Sequence, residues 1–191
     1  MTATPLRPLA LTLAAALLIT IAPAPAAAQA PAPLPTVAKV DLERYAGTWH
    51  EIARLPNRFQ AQCVADVTAT YTPRPDGAVG VVNRCRTEAG GTDVAEGVAV
   101  PQDETRARLK VSFLPAVLRW LPFGQGDYWV LALDAQYRWV LVGEPRREYL
   151  WVLAREPRMA PDTLQGVLDR ARELGFPVER IRIGTPSDPA R

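Results

Sequence analysis

The sequence predicts an all-β fold: an eight-stranded antiparallel up-and-down barrel with one C-terminal α-helix packed outside it and a short ninth strand. Two patterns carry this. Between Gly47 and Arg155, turn or breaker signals such as Pro56-Asn57, Pro75-Asp76-Gly77, Gly90-Gly91 and Gly143-Glu144-Pro145 recur every eight to twelve residues and delimit eight strand-like runs. After the last run the apolar period changes from two to that of a helix, with Leu164, Val167, Leu168, Ala171 and Leu174 on one face. The 191 residues are 48% hydrophobic, an ordinary globular composition, and show no internal repeat or second domain.

The first 28 residues are set apart from the fold. Arg7, the apolar run 9–22 and the small residues Ala26-Ala27-Ala28 have the order of a secretory signal, with cleavage expected after Ala28. A retained membrane anchor is the competing reading, but a spanning helix needs roughly 20 apolar residues and this run is shorter. No cysteine lies near the cut, so a lipid-modified N-terminus has no acceptor. A Pro/Ala-rich linker is expected over 29–36, the barrel domain over 37–185, and a disordered tail with Pro186 and Pro189 over 186–191.

The strands are expected near 48–55, 64–72, 79–87, 92–100, 106–114, 127–133, 138–143 and 148–155. Short loops between them suit a meander, and closing it removes both exposed sheet edges. The helix has Pro161 for its first turn and Gly175 for its stop. Beyond it, residues 178–183 alternate and supply the ninth strand.

Charge and residue counts exclude several functions. With 22 basic and 20 acidic residues spread along the chain, the net charge of +2 is too small for a nucleic-acid footprint. One histidine, His50, and two cysteines, Cys63 and Cys85, remove most zinc sites, which take three or four such ligands, and no cofactor is expected. In an oxidising compartment two cysteines favour a disulfide. Folding 64–72 and 79–86 as a hairpin around Asp76-Gly77 pairs Ala69 with Val79, Val67 with Val81 and Cys63 with Cys85, all on one face. The alternative is two buried, inert thiols.

Four segments resemble the lipocalins, within them the bacterial lipocalins and their apolipoprotein D-like relatives. They are Gly47-Thr48-Trp49-His50-Glu51-Ile52-Ala53-Arg54-Leu55-Pro56, Val67-Thr68-Ala69-Thr70-Tyr71, Tyr128-Trp129-Val130-Leu131-Ala132-Leu133-Asp134 and Tyr149-Leu150-Trp151-Val152-Leu153-Ala154-Arg155. The resemblance runs from Val37 to Ile183. Two positions depart from it: His50 stands where the family commonly has tyrosine, and Leu133 where it has threonine. The resemblance implies a closed end at Gly47, Trp49 and Arg155, where the guanidinium covers the indole in a cation–π contact, and a helical turn over 40–45 sealing that end.

With Trp49 inward, strict alternation also turns Glu51, Ala53 and Leu55 inward. The family pattern implies further inward positions at Ala69, Tyr71, Val81, Asn83, Val111, Phe113, Tyr128, Val130, Ala132, Tyr149, Trp151 and Leu153. Such a lumen, largely apolar with a few polar groups, suits an elongated lipid whose tail is buried at roughly 0.8 kcal/mol per CH₂. The competing reading is a solid core of the same aromatics. The segment 114–124 is unusually apolar for a loop at the mouth. Leu118, Trp120, Leu121 and Phe123 suit a lid, a membrane contact or a dimer surface, unless the loop folds back on the barrel wall.

The expected function is a periplasmic carrier of a fatty acid, lysophospholipid or similar lipid, a monomer or weak dimer serving outer-membrane lipid storage, transport or maintenance. Two alternatives remain: a filled-barrel interaction protein using the 114–124 loop, and a lipid-modifying enzyme. The enzyme lacks support in the residues, because both thiols are committed to a bridge, His50 alternates outward and Glu51 has no evident acid–base partner.

Overall fold

The computed structural model describes residues 33–119, 121 and 124–186; the expected signal segment, Trp120, Phe123 and the tail beyond Pro186 lie outside the described residues. Eight strands close the barrel: β1 (Gly47–Arg54), β2 (Cys63–Pro73), β3 (Val79–Thr87), β4 (Thr92–Pro101), β5 (Arg108–Ser112), β6 (Gln125–Leu133), β7 (Trp139–Gly143) and β8 (Leu150–Ala154). Neighbours in sequence pair antiparallel from β2 to β8, and β1 bonds to both β8 and β2, which closes the sheet. Before β1, the short helix α1 (Leu42–Tyr45) is capped by Asp41, whose carboxylate accepts from the N–H groups of Glu43 and Arg44 at 3.0 and 3.2 Å. Helix α2 (Pro161–Glu173) starts on proline and ends before Gly175, whose φ of +84° is the left-handed conformation that a helix stop requires.

Apolar residues form two cores, one on each face of the sheet. Inside the barrel, Val40, Leu42, Tyr45, Trp49, Tyr71, Val79, Val81, Ala99, Leu109, Val130, Val140, Val142 and Leu153 pack together. Outside it, Ile52, Leu131, Leu141, Leu150, Val152 and Ala154 meet Val167, Ala171 and Leu174 of α2, with Phe176 and Val178 beyond the helix. Leu34, in the segment expected to be a linker, is buried in this outer core.

Strict alternation fails at two bulges. The register of β1 against β8 slips between Glu51 and Ala53, and that of β6 against β7 between Val130 and Ala132. An extra residue reverses the phase of everything after it. Ala53 and Leu55, expected inward, are therefore buried in the helix-side core, and Ala132 packs against that core as well. Arg54 takes the inward position instead, opposite Trp151 on β8.

The hairpin register also differs from the expectation. Tyr71 pairs with Val81 and Ala69 with Asn83, a shift that keeps the same residues on the inner face because it is even in register. Continued unbroken, that register would set Cys63 opposite residue 89; two slips in β2, around Asp66 with its φ of +53°, offset part of the shift and bring Cys63 opposite Thr87, two residues from the expected Cys85. The disulfide nevertheless forms diagonally, with the two Cα atoms 5.5 Å apart.

Of the expected ninth strand only β9 (Arg182–Ile183) is extended; Val178–Arg180 is a single 3₁₀ turn. Val178 is buried against the outer core beside Pro177, and this anchors the chain in a turn before it can run along the sheet. β9 pairs with β1 at Ala53 and Arg54, and Gly184 donates to the Ile52 carbonyl at 2.8 Å. Asp66 of β2 donates to the Thr185 carbonyl at 3.1 Å. The C-terminal segment thus bonds to both sides of the seam where the bulged ends of β1 and β2 diverge.

Candidate functional site: a barrel lumen closed at one end

Strand directions place the β1 start, the β2–β3 turn and the β4–β5 turn at one end. The loops 55–62, 88–91 and 144–149, and the described residues 113–119, 121 and 124, lie at the other. The first end is sealed. Trp49 is 0% exposed, its indole N–H donates to the Tyr45 carbonyl at 2.8 Å, and the Arg155 guanidinium lies 3.9 Å from its ring. Arg155 also donates to the carbonyls of Thr48 and Arg44 at 3.0 and 2.8 Å, stitching β8 to α1 and β1. Gly47 adopts a φ of +94° beside this guanidinium, a conformation that glycine takes without strain. On the far side of α1, Arg44 covers the Tyr137 ring at 4.2 Å and Asp41 donates its N–H to the Tyr137 hydroxyl at 2.9 Å.

Above this floor stands a chain of three tyrosines. The Tyr128 hydroxyl is 2.7 Å from that of Tyr45 and 2.9 Å from that of Tyr71. Burial pushes Tyr71 up to about 12, against the smaller opposing pull of its bond to Tyr128, and raises Tyr45 and Tyr128 well above the ordinary tyrosine value. All three hydroxyls stay protonated through the physiological range. Beside them lies an apolar void of about 10 Å³ bounded by Val40, Leu42, Val79, Ala99, Leu109 and Val130, roughly the space of one water. The deepest part of the barrel is thus a packed core.

The lumen opens toward the mouth. Gly97 pairs with Val81 of the inner core, and the Phe113 ring lies where a side chain on Gly97 would stand, 2.8 Å from that position. Phe113 consequently faces the inside of the barrel, and yet it is 43% exposed. Across the barrel, half-buried Trp151 stacks with Tyr149, ring centroids 6.1 Å apart, and Phe59 meets Tyr149 at 5.4 Å. The loop carrying Tyr149 is shaped by the buried Glu144 carboxylate, which accepts the N–H groups of Arg146, Glu148 and Tyr149. Val111, Ala69 and Asn83 are half-buried on the inner face, consistent with incomplete filling at this level.

Polar groups on this wall form one cluster. Glu51 accepts from Arg54 Nη1 at 2.5 Å and from Gln60 Nε2 at 2.7 Å. The Gln60 carbonyl oxygen of the side chain accepts from Trp151 Nε1 at 2.9 Å and Asn57 Nδ2 at 2.8 Å. Sequence reasoning named Glu51 and Trp151 but not Arg54, Asn57 or Gln60. Arg54 was hidden by the bulge, while Asn57 and Gln60 sit in a loop whose path no periodicity describes. Asn57 did leave one signal, since its side chain caps the 3₁₀ turn Arg58–Gln60 by accepting from Gln60 N–H at 3.0 Å.

His50 pairs with Ala154, which belongs to the outer core, and so lies on the outer face. Among charged and polar residues, the described mouth rim also exposes large apolar side chains: Val117 is 77% exposed, Phe59 57% and Leu118 is also exposed, while Leu121 is half-buried.

Known proteins share this architecture. Residues 40–186 match the family described as "Lipocalin-like domain". Temperature-induced lipocalin-1 of Arabidopsis thaliana is 38% identical over 155 residues, covering 80% of this chain and 82% of the relative. The outer membrane lipoprotein Blc of Escherichia coli K12 is 39% identical over 147 residues, covering 76% and 78%. Bovine (Bos taurus) apolipoprotein D is 33% identical over 96 residues, covering 49% and 46%. Among solved structures, the cockroach allergen Per a 4 superposes with a TM-score of 0.60 at 16% identity, covering 80% of this chain and 93% of its own. Insecticyanin of the tobacco hornworm Manduca sexta gives 0.60 at 18%, covering 81% and 85%. These two support the fold alone.

Proposed function

The chain belongs to the lipocalin family, and we propose that its barrel binds and carries a small hydrophobic ligand, a fatty acid, lysophospholipid or similar lipid, in the bacterial periplasm. The observation that carries this reading is Phe113, an aromatic ring facing inward and yet 43% exposed, above a floor where Trp49 is 0% exposed. A solid core would bury both. The tail enters past Phe113, Tyr149 and Trp151 and descends toward Val111 and the tyrosines, a lining that excludes water and gains roughly 0.8 kcal/mol per buried CH₂. No chemical step is assigned. The two cysteines are bonded to each other, His50 is on the outer wall, and the Glu51 carboxylate is held by Arg54 and Gln60.

The periplasmic placement rests on the signal-like N-terminal segment, and the relation to outer membrane lipoproteins supports service to outer-membrane lipid. The exposed rim at Phe59, Val117 and Leu118 supports transient contact with a membrane surface during exchange.

Two charge insertions test the reading. Trp151→Glu removes an aromatic ring from the tail's path and sets a carboxylate on the lumen wall opposite Arg54, and is expected to abolish most lipid affinity, because the tail loses an apolar contact and meets a charged, polar wall. Trp129 packs on the outer core with Arg108 4.9 Å from its ring, so Trp129→Glu leaves the lumen apolar and affinity largely intact. Both are read by titrating folded protein with a lipid panel, alongside mass spectrometry of solvent extracts from purified protein. Lipid binding by folded Trp151→Glu equal to that of the unaltered protein, or no bound or bindable lipid at all, overturns the carrier function.

A further inference from the structure

We propose that the inner wall of the mouth carries a subsite for an anionic head group, a carboxylate or a phosphate, built on Arg54. The subsite rests on the carrier function and names which end of the ligand stays near the mouth.

The basis is a donor–acceptor imbalance in a buried cluster. Arg54 is nine-tenths buried, and its guanidinium has five N–H donors and no acceptor. Nη1 is taken by Glu51 at 2.5 Å. Nη2 reaches only the Gln60 backbone carbonyl at 3.5 Å, the outer limit of a hydrogen bond. Nε is buried and has no partner among the described residues. The acceptors nearby are engaged with other donors and none is bonded to Nε: Glu51 Oε2 accepts from Gln60, Gln60 Oε1 from Trp151 and Asn57, and Asn57 Oδ1 from the Gln60 N–H. A buried cation with an unsatisfied donor is costly, and the edge formed by Nε and Nη2 is the fork that a planar oxyanion accepts with two parallel bonds.

Position agrees with this chemistry. Arg54 stands opposite Trp151 in the β1–β8 ladder, at the mouth end of β1, above the apolar lining and the tyrosine floor. An amphiphile entering tail first leaves its head at this level. The contact that yields is the long one to Gln60, which lies on a 3₁₀ turn in a surface loop and is held otherwise by side-chain bonds. Glu51 keeps Nη1, so an oxyanion adds to the pair and does not replace it. Since the Glu51–Arg54 pair is itself neutral, charge balance favours a singly charged oxyanion over a doubly charged one.

The experiment compares oleate with oleyl alcohol, which share a chain and differ in the head group, and lysophosphatidate with monoolein, which do the same for phosphate. Each is titrated into the full-length protein and followed by tryptophan fluorescence. The anionic member of at least one pair is expected to bind about tenfold or more tightly, the factor that one charge-assisted hydrogen bond supplies. Which pair shows the larger ratio identifies carboxylate or phosphate. In Arg54→Gln the ratio falls toward one, and in Arg54→Lys it falls part of the way, because the charge is kept and the fork is lost. Where Arg54→Gln leaves Glu51 unpaired and fails to fold, the double variant Glu51→Gln/Arg54→Gln removes both charges and is read in its place. Equal affinity for anionic and neutral members in the unaltered protein, or a ratio that survives loss of Arg54, overturns the subsite and leaves the carrier function standing. Failure of all four lipids to bind overturns both.

Discussion

The two ends of the barrel solve opposite problems with similar residues. At the closed end an arginine, a tryptophan and the backbone of α1 satisfy one another: Arg155 has three carbonyl partners and an indole beneath it, and Trp49 has lost all contact with solvent. At the mouth another arginine and tryptophan face each other across the same strand pair, but Arg54 keeps an unpartnered Nε and Trp151 remains half-buried. A complete polar network makes a plug; an incomplete one beside exposed aromatic surface makes a place for something else. Arginine–tryptophan proximity therefore does not separate structural from binding residues. Whether every guanidinium nitrogen has a partner does.

The largest expected effect breaks the closed end. Trp49→Ala removes a fully buried ring and the surface under Arg155, and is expected to lower stability by about 3–5 kcal/mol in chemical denaturation. Ligand affinity per folded molecule should change little, because the residue lies below the lumen. Unchanged stability together with lost binding would reverse the roles of the two ends.

Next comes the disulfide, which ties the mouth ends of β2 and β3 where the ladder is irregular. Reducing it is expected to cost about 2–4 kcal/mol by closed-loop entropy. Thiol titration of the denatured, unreduced protein should find no free thiol.

The tyrosine chain gives a pH test confined to the floor. Tyr71 titrates near 12 in the folded state and at its ordinary value of 10.0 when unfolded. Above pH 10 the unfolded chain loses the proton first, so the stabilisation is complete below that pH and is lost as the pH rises through 12. The loss is about 2–3 kcal/mol. Melting temperatures measured across pH 9–12 should fall, and Tyr71→Phe should flatten the decline. A slope unaltered by that substitution would move the alkaline sensitivity elsewhere in the molecule.

The smallest effect belongs to the mouth. Gly97→Ala places a methyl group 2.8 Å from both the Phe113 ring and the Ser112 carbonyl, so the ring must move into the opening and the β4–β5 backbone must give as well. A stability loss of about 1–2 kcal/mol is expected, with a clear change in lipid affinity. Equal affinity would remove Phe113 from the entry path and leave Tyr149 and Trp151 as its aromatic lining.

What the sequence determined by itself is whatever depends on local period and turn chemistry. Eight strands, their order and the helix from Pro161 are all legible because alternation, proline and glycine act over a few residues, whereas the turn before β1 is legible only through the family resemblance. The inward placement of Tyr71, Val81, Tyr128 and Val130 follows from the same alternation joined to the family resemblance. What only the tertiary structure decided is everything downstream of a bulge. One extra residue after Glu51 sends Ala53 and Leu55 under the helix and turns Arg54 into the lumen, while the shifted β2–β3 register moves Cys63 off its expected partner and the slips around Asp66 bring it back near enough for the bridge. A bulge costs little locally and is settled by which side chains the neighbouring strands, α2 and the C-terminal segment can bury, and no period in the chain records that competition.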